Sequence, residues 1–275
     1  MVSGHHGRNW RKSKRLRRNS SDANPLQIRP SLRVGFIGSQ KGNRLAKKYF
    51  TPAAFKFLNE LEHNNEKVWW EQNKERYITV IREPALEFIN DFGPQLEKIS
   101  PHFVADSRTV GGSLMRPYRD MRFSNDKTPY KTNVGIQFRH EAGKDVHAPG
   151  FYVHIEPGSC FAGAGMWHPE PKVAKEIRQA IYDDPVAWKK ATRSKAFTDT
   201  WSIEQDEDEY LKRVPKEFDG DHPYPNDLRL KSFIAGARMT QKQVTSAGFA
   251  EELGKMFKKG SGLTEFLSRA TGVAY

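Results

Sequence analysis

The chain has one cysteine in 275 residues, Cys160. A single thiol cannot form an intramolecular disulfide, and chains without disulfides are typical of reducing compartments, so we predict a cytoplasmic protein. Apolar runs are short, and none approaches the roughly 20 residues that a membrane-spanning helix requires. The composition therefore favours a soluble protein that does not span a membrane.

Several familiar motifs of catalysis and cofactor binding are also missing. The sequence contains neither the Gly-x-x-x-x-Gly-Lys-Ser/Thr phosphate loop nor the Gly-x-Ser-x-Gly nucleophile elbow. The stretch 163–165 lacks the third glycine and the following acid of a dinucleotide fingerprint. His154 and Glu156, on one face of a predicted strand, are the candidates for metal ligands. No His-Glu-x-x-His or paired-cysteine spacing accompanies them. We therefore predict no cofactor and no metal.

Acidic residues are nearly absent from the first 48 residues, which hold 13 Lys and Arg and one acid, Asp22. The rest holds 32 residues of each sign, so the net charge of +12 belongs to this basic tail. The tail is also poor in large apolar side chains, and we expect residues 1–48 to be disordered. Four interpretations stay open: a dispensable extension, a nucleic-acid or membrane-surface arm, a transit peptide, or a stretch translated from upstream of the true protein. Because the body is neutral, nucleic acid would bind only through the tail.

The body, residues 49–275, begins and ends with helical patterns. Apolar side chains recur at helical spacing after Pro52, after Glu66 and after Pro84, and we expect Gly93-Pro94 to end the third helix. Further helices are predicted from Pro171, from Pro185, and over 204–213, 241–257 and 264–269.

Between these helices, short alternating or β-prone segments predict a sheet. The predicted strands are 109–115, 133–140, 151–156, 160–167 and 232–239. In the third, Phe151, Val153 and Ile155 share one face, and Tyr152, His154 and Glu156 share the other. The link 156–159 is short enough for a hairpin. We therefore predict one α+β domain with an antiparallel sheet of about five strands, flanked by N-terminal and C-terminal helices.

Five cations and three aromatic rings share the segment 116–131, with only two acids, Asp120 and Asp126. Aromatic area needs something to cover it, and Pro129 prevents a continuous helix. We expect an ordered, partly buried basic loop that binds a small anion. The candidate ligand-binding residues are Arg116, Arg119, Arg122, Asp126, Lys127, Tyr130, Lys131 and, from a later loop, Lys216.

These residue types suit phosphate or carboxylate. A guanidinium group holds either anion through two parallel hydrogen bonds, and a lysine supplies a point charge. Asp120, between Arg119 and Arg122, is expected to stay ionised and orient an arginine, and is a candidate catalytic residue. The alternative is an ion-pair network that fixes the loop without a ligand. Because buried ion pairs often add little stability over apolar side chains, we favour ligand binding.

His222, in Asp221-His222-Pro223, is the candidate for proton transfer. Imidazole titrates near neutral pH, and a neighbouring carboxylate can orient it. If its loop reaches the basic segment, the chain is an enzyme acting on a small phosphorylated or carboxylated metabolite. If His222 only bonds the backbone of a turn, the chain is a non-catalytic binding module.

The order of these segments resembles a widespread family of bacterial and fungal conserved hypothetical proteins, described as a domain of unknown function. The motif at 116–131, Asn64-Asn65 with Trp69-Trp70, and Gly163-Ala164-Gly165 carry the likeness, which covers nearly all of 51–269. The resemblance implies a coherent fold and a site at the motif, but no reaction. Two positions depart from the family pattern, since Ala164 and Glu217 stand where glycines are expected.

Overall fold

A computed structural model describes residues 47–120, 126–143, 149–203 and 205–275. Within these ranges the chain forms an α+β fold around one five-stranded antiparallel sheet, which confirms the predicted fold class. We expect disorder in the basic tail, and residues 1–46 of that tail lie outside the described part. In that described part, no helix is both long and apolar enough to cross a bilayer.

The N-terminal helices follow the predicted pattern until the third of them. They are α1 (Pro52–His63), α2 (Lys67–Tyr77), a π-helical turn (Ile78–Arg82) and α3 (Glu83–Glu97). The expectation that Gly93-Pro94 ends the third helix is wrong, because α3 continues through Pro94. Phe92 and Leu96, on either side of the proline, are fully buried. Their packing outweighs the hydrogen bond that proline removes.

The strands lie in the sheet in the order of the chain. They are β1 (Phe103–Val104), β2 (Val134–His140), β3 (Gly150–Ile155), β4 (Cys160–Met166) and β5 (Phe233–Met239). Four of them confirm predicted strands, and β3 and β4 form the predicted hairpin. The prediction of a strand at 109–115 is wrong. Only Leu114 makes a bridge, with Ile136, and the edge strand is β1.

Helices fill the long connection from β4 to β5 and close the chain. They are α4 (Pro171–Asp183), α5 (Pro185–Arg193), α6 (Lys195–Thr198), α7 (Pro225–Leu228), α8 (Gln241–Val244) and α9 (Phe249–Ala270). The predicted helix at 204–213 is wrong. Its described residues contain one 3₁₀ turn, Glu207–Glu209, after which Tyr210 forms a bridge with Leu230. The two closing helices predicted at 241–257 and 264–269 are the short α8 and one continuous α9.

The sheet has two different faces, and alternation along the strands assigns them. On one face, Phe138 and Phe151 are buried beneath α3 and α9, where Phe151 stacks on Phe257 with ring centroids 4.5 Å apart. The opposite face presents Tyr152 and His154, as the sequence pattern predicted, together with several glycines. This second face, called the glycine face below, lies away from the α3–α9 core.

Candidate functional site

Two backbone hydrogen bonds draw the ends of the segment 116–131 together. The Arg119 N–H donates to the Pro129 carbonyl at 2.9 Å, and the Lys131 N–H donates to the Pro117 carbonyl at 2.7 Å. Tyr118 and Tyr130 face each other in the same antiparallel bridge. The segment is therefore ordered at both ends, which is what an anion site built on a loop requires. Residues 121–125, between its arms, lie outside the described part.

The α1–α2 region clamps this segment. The Asn65 side chain donates to the Tyr130 carbonyl at 2.9 Å and accepts from the Tyr130 N–H at 3.0 Å. Trp70, only 1% exposed, stacks on the Tyr130 ring with centroids 4.3 Å apart and planes 12° apart. The Tyr130 ring, 4% exposed, thus fixes the segment on the core. The aromatic area of Tyr130 is therefore covered by the protein itself, whereas Tyr118 remains 47% exposed.

Arg119 and Asp126 form an ion pair across the two arms. Asp126 Oδ1 also accepts hydrogen bonds from the Thr128 N–H at 2.9 Å and the Thr128 hydroxyl at 2.8 Å. The Thr128 N–H, then its hydroxyl, and then the Arg119 charge lower the pKa of Asp126. The carboxylate is therefore held ionised, in a position to orient Arg119.

Lys131 is half-buried and lies among like charges. Burial, followed by the charges of Arg116 and Arg119, lowers the pKa of the Lys131 amine. In the ranges that the structure describes, no carboxylate lies within 4.0 Å of the Lys131 amine or of the exposed Arg116 guanidinium. These two cations therefore have no counter-charge from the described protein.

The other predicted site residues have different surroundings. Asp120 and Lys127 are exposed on either side of the gap at 121–125, and Arg122 lies within that gap, outside the described residues. Lys216 is exposed on the loop that precedes α7.

His222, on the same loop, accepts a hydrogen bond from the Tyr224 N–H at 3.1 Å, and its ring stacks on Tyr182 of α4 at 5.2 Å. Its Nε2 is buried and has no partner within the described residues. The described contacts of His222 run to α4 and to its own loop, not to the basic segment. The role of His222 in proton transfer stays a prediction.

A hydrogen-bonded chain on the glycine face was not predicted as a site. His154 Nδ1 lies 3.1 Å from the Tyr152 hydroxyl, and His154 Nε2 lies 3.0 Å from Glu156 Oε2. The Thr132 hydroxyl donates to the other Glu156 oxygen at 3.0 Å. Burial, and then the Glu156 charge, raises the pKa of Tyr152 to about 12. The signal for this chain in the sequence is the period-two alternation of Tyr152, His154 and Glu156, which places all three side chains on one face.

The family comparison covers all of these elements. A model of the family described as conserved hypothetical protein (DUF2461) matches residues 53–266. The chain belongs to this family. The match includes the five strands and the segment 116–131, so the resemblance expected from the sequence is confirmed. Comparisons with curated proteins and with solved structures gave no match.

Ala164 and Glu217 are the two departures expected from the DUF2461 pattern. Ala164 is 3% exposed and pairs with Phe151 and Ala235 on the helix-covered side of the sheet. Its methyl group therefore lies on the side of the α3–α9 core and takes no space on the glycine face. Glu217 is exposed, with a carboxylate oxygen 3.9 Å from the Lys175 amine.

Metal ligation has no support in the described ranges, since no group of three or more His, Cys, Asp or Glu residues is placed to hold an ion.

Proposed function

We propose that this DUF2461 protein binds a small anionic molecule, phosphorylated or carboxylated, at the segment 116–131. The supporting observation is the crowding of positive charge around the half-buried Lys131, whose pKa is lowered by burial and by Arg116 and Arg119. A bound anion would offset this repulsion, because an opposite charge favours the ammonium form. Only Arg119 of the three has an ion-pair partner in the described part, Asp126.

The position of the anion follows from the space around Lys131. The gap that Lys131 lines with Trp70 and Met115 is about 10 Å³, which is enough for about one water and too small for a phosphate group. The anion therefore binds on the outer side of the segment, where Arg116 is exposed. There a guanidinium group supplies two parallel donors and the lysine a point charge.

The geometry favours a binding site over an assembled catalytic one, because no described contact joins His222 to the basic segment. Catalysis by His222, with Asp120 in support, is a second hypothesis within this proposal. His222→Ala leaves anion binding unchanged under both versions and abolishes turnover only if the protein is an enzyme. Nucleic-acid binding by the tail is a separate alternative, and deletion of residues 1–48 tests it. We include a cytoplasmic location in the proposal because a chain with one cysteine, Cys160, forms no intramolecular disulfide.

Calorimetry with inorganic phosphate, pyrophosphate and citrate tests anion binding. Lys131→Met keeps the length of the side chain and removes its charge, and we expect at least a roughly tenfold loss of affinity, since charge-assisted contacts contribute about 1.5–3 kcal/mol. Lys242→Met, on the exposed side of α8, changes the net charge equally and should leave affinity unchanged. Equal losses in both variants, or no heat with any of the three anions, would contradict the proposal.

A further inference from the structure

A cavity of about 390 Å³ lies on the glycine face. It extends over β3, β4 and β5, with Met115 and Gln137 at one side and Trp167 at another. A volume of this order is typical of small-molecule sites, which are concave, mostly apolar and given direction by a few polar groups. None of the residues that line the cavity belongs to the segment 116–131, where the anion is proposed to bind.

Glycines make the floor of this cavity. Gly150 pairs with Gly165 across β3 and β4, and Gly163 pairs with Gly236 across β4 and β5. A Cβ atom added at Gly236 would meet no atom within 4 Å, so a side chain there would extend into empty space. Gly165 has φ +124°, which other residues rarely adopt. A Cβ atom added at Gly150, Gly163 or Gly165 would meet another atom at 2.5, 3.3 and 2.1 Å. The floor is therefore backbone without side chains over two adjacent strand pairs, and its open space lies above Gly236.

Aromatic side chains form the walls. Tyr152, Phe161 and Trp167 line the cavity, and the Trp167 ring is half exposed. Trp167 is followed by His168 at φ +41°, a strained value for a residue other than glycine, and the two rings meet edge to face at 4.4 Å. Strained backbone of this kind clusters at ligand sites. On the other side, the bond to His154 holds the Tyr152 ring in place.

We propose that this cavity binds a planar, uncharged aromatic molecule. A floor of peptide groups without side chains, between aromatic walls, leaves room for a one- or two-ring compound, and aromatic side chains favour stacking or edge-to-face contact with such rings. An added peptide strand fits less well. The Gly236 N–H and carbonyl at the β5 edge are already bonded to Ser202, at 2.8 and 3.0 Å.

Fluorescence titration of the full chain with 6-propionyl-2-(dimethylamino)naphthalene, an uncharged dye with one planar two-ring system, tests the proposal. We expect saturable binding with one dye per chain. Gly236→Leu should weaken the binding at least about tenfold, because the new side chain occupies the open space above Gly236. Gly220→Leu, in an exposed loop where an added Cβ also meets nothing within 4 Å, is the matched control and should bind as the wild type does. Equal affinity in the wild type and Gly236→Leu would overturn the proposal.

The ligand class is tested by competition. Naphthalene-2-methanol should displace the dye, whereas its saturated counterpart decahydronaphthalene-2-methanol, which is not planar, should be at least about tenfold weaker. If Gly236→Leu does not keep the wild-type circular dichroism, Trp167→Ala replaces it, since its ring is half exposed and its loss should weaken dye binding about fivefold or more. Equal displacement by the planar and saturated alcohols, or full dye affinity in a folded Trp167→Ala, would show that the cavity is not an aromatic site. Neither result depends on whether the basic segment binds an anion.

Discussion

The side chain of Asn65 makes the two hydrogen bonds to the Tyr130 backbone that a neighbouring strand would otherwise make. It donates to the Tyr130 carbonyl at 2.9 Å and accepts from the Tyr130 N–H at 3.0 Å, across 65 positions of sequence. A buried backbone segment outside a sheet needs partners of this kind, because unpaired N–H and carbonyl groups are costly. Asn65 thereby connects the α1–α2 turn to the segment that we propose binds an anion.

Asn65→Ala leaves both backbone groups of Tyr130 without this partner. We expect the free energy of unfolding to fall by about 2–3 kcal/mol, measured by urea denaturation, since each unsatisfied buried group costs about 1–3 kcal/mol. Phosphate affinity should fall as well, because Lys131 follows Tyr130 directly. Asn64→Ala is the control. Its side chain bonds the Glu60 carbonyl at the exposed end of α1, and the change should be within about 0.5 kcal/mol. Equal stability of the two variants would show that the Asn65 bonds do not position the segment.

Asp227 is the buried acid that joins α5 to α7. It accepts a hydrogen bond from the Trp188 indole N–H at 2.5 Å and pairs with Arg193 at 2.7 Å. Asp227→Ala removes the acceptor of the Trp188 indole N–H and the ion-pair partner of Arg193. We expect the free energy of unfolding to fall by about 2–4 kcal/mol. Asp199→Ala removes an exposed pair with Lys195 and should cost at most about 0.5 kcal/mol. A similarly small loss at Asp227 would mean that solvent compensates for the buried contact.

The raised pKa of Tyr152 predicts how stability changes in alkali. Burial raises the pKa of Tyr152, and that of Tyr77, from 10.0 to about 12 in the folded protein. Above pH 10 the unfolded chain therefore loses these protons first, and the free energy of unfolding falls as the pH rises from 10 towards about 12. Urea denaturation across this range, with tyrosinate absorbance as a second readout, measures the slope. Tyr152→Phe should make the slope shallower, and an unchanged slope would show that the Tyr152 hydroxyl is not shielded from water.

The sequence pattern predicted β2 to β5 because their alternation records which side chains meet the core. It missed β1, since a two-residue strand has no period to detect. It also placed a helix at 204–213, where acidic residues favour one, but Leu211 instead donates its N–H to the Arg229 carbonyl at 2.7 Å. Pairing over such a distance in sequence overrides local propensity.

The basic motif was visible in the sequence because its residues are contiguous, whereas the cavity was not. Its floor depends on Gly163 lying opposite Gly236, and that register is decided only when β5 pairs with β4 after the long helical connection. The position of His222 likewise depends on long-range packing, because its ring stacks on Tyr182 of α4. Long-range geometry of this kind has no local pattern that predicts it.

The most direct measurement of anion binding is an NMR titration of the Lys131 side chain, labelled by reductive methylation and assigned by comparison with Lys131→Met. In the free protein the Lys131 amine should titrate below the ordinary lysine value of 10.5, because of burial and of Arg116 and Arg119. Saturating inorganic phosphate should raise this pKa, since a bound anion favours the ammonium form. A Lys131 pKa that stays the same at every phosphate concentration would contradict the proposal that this segment binds an anion.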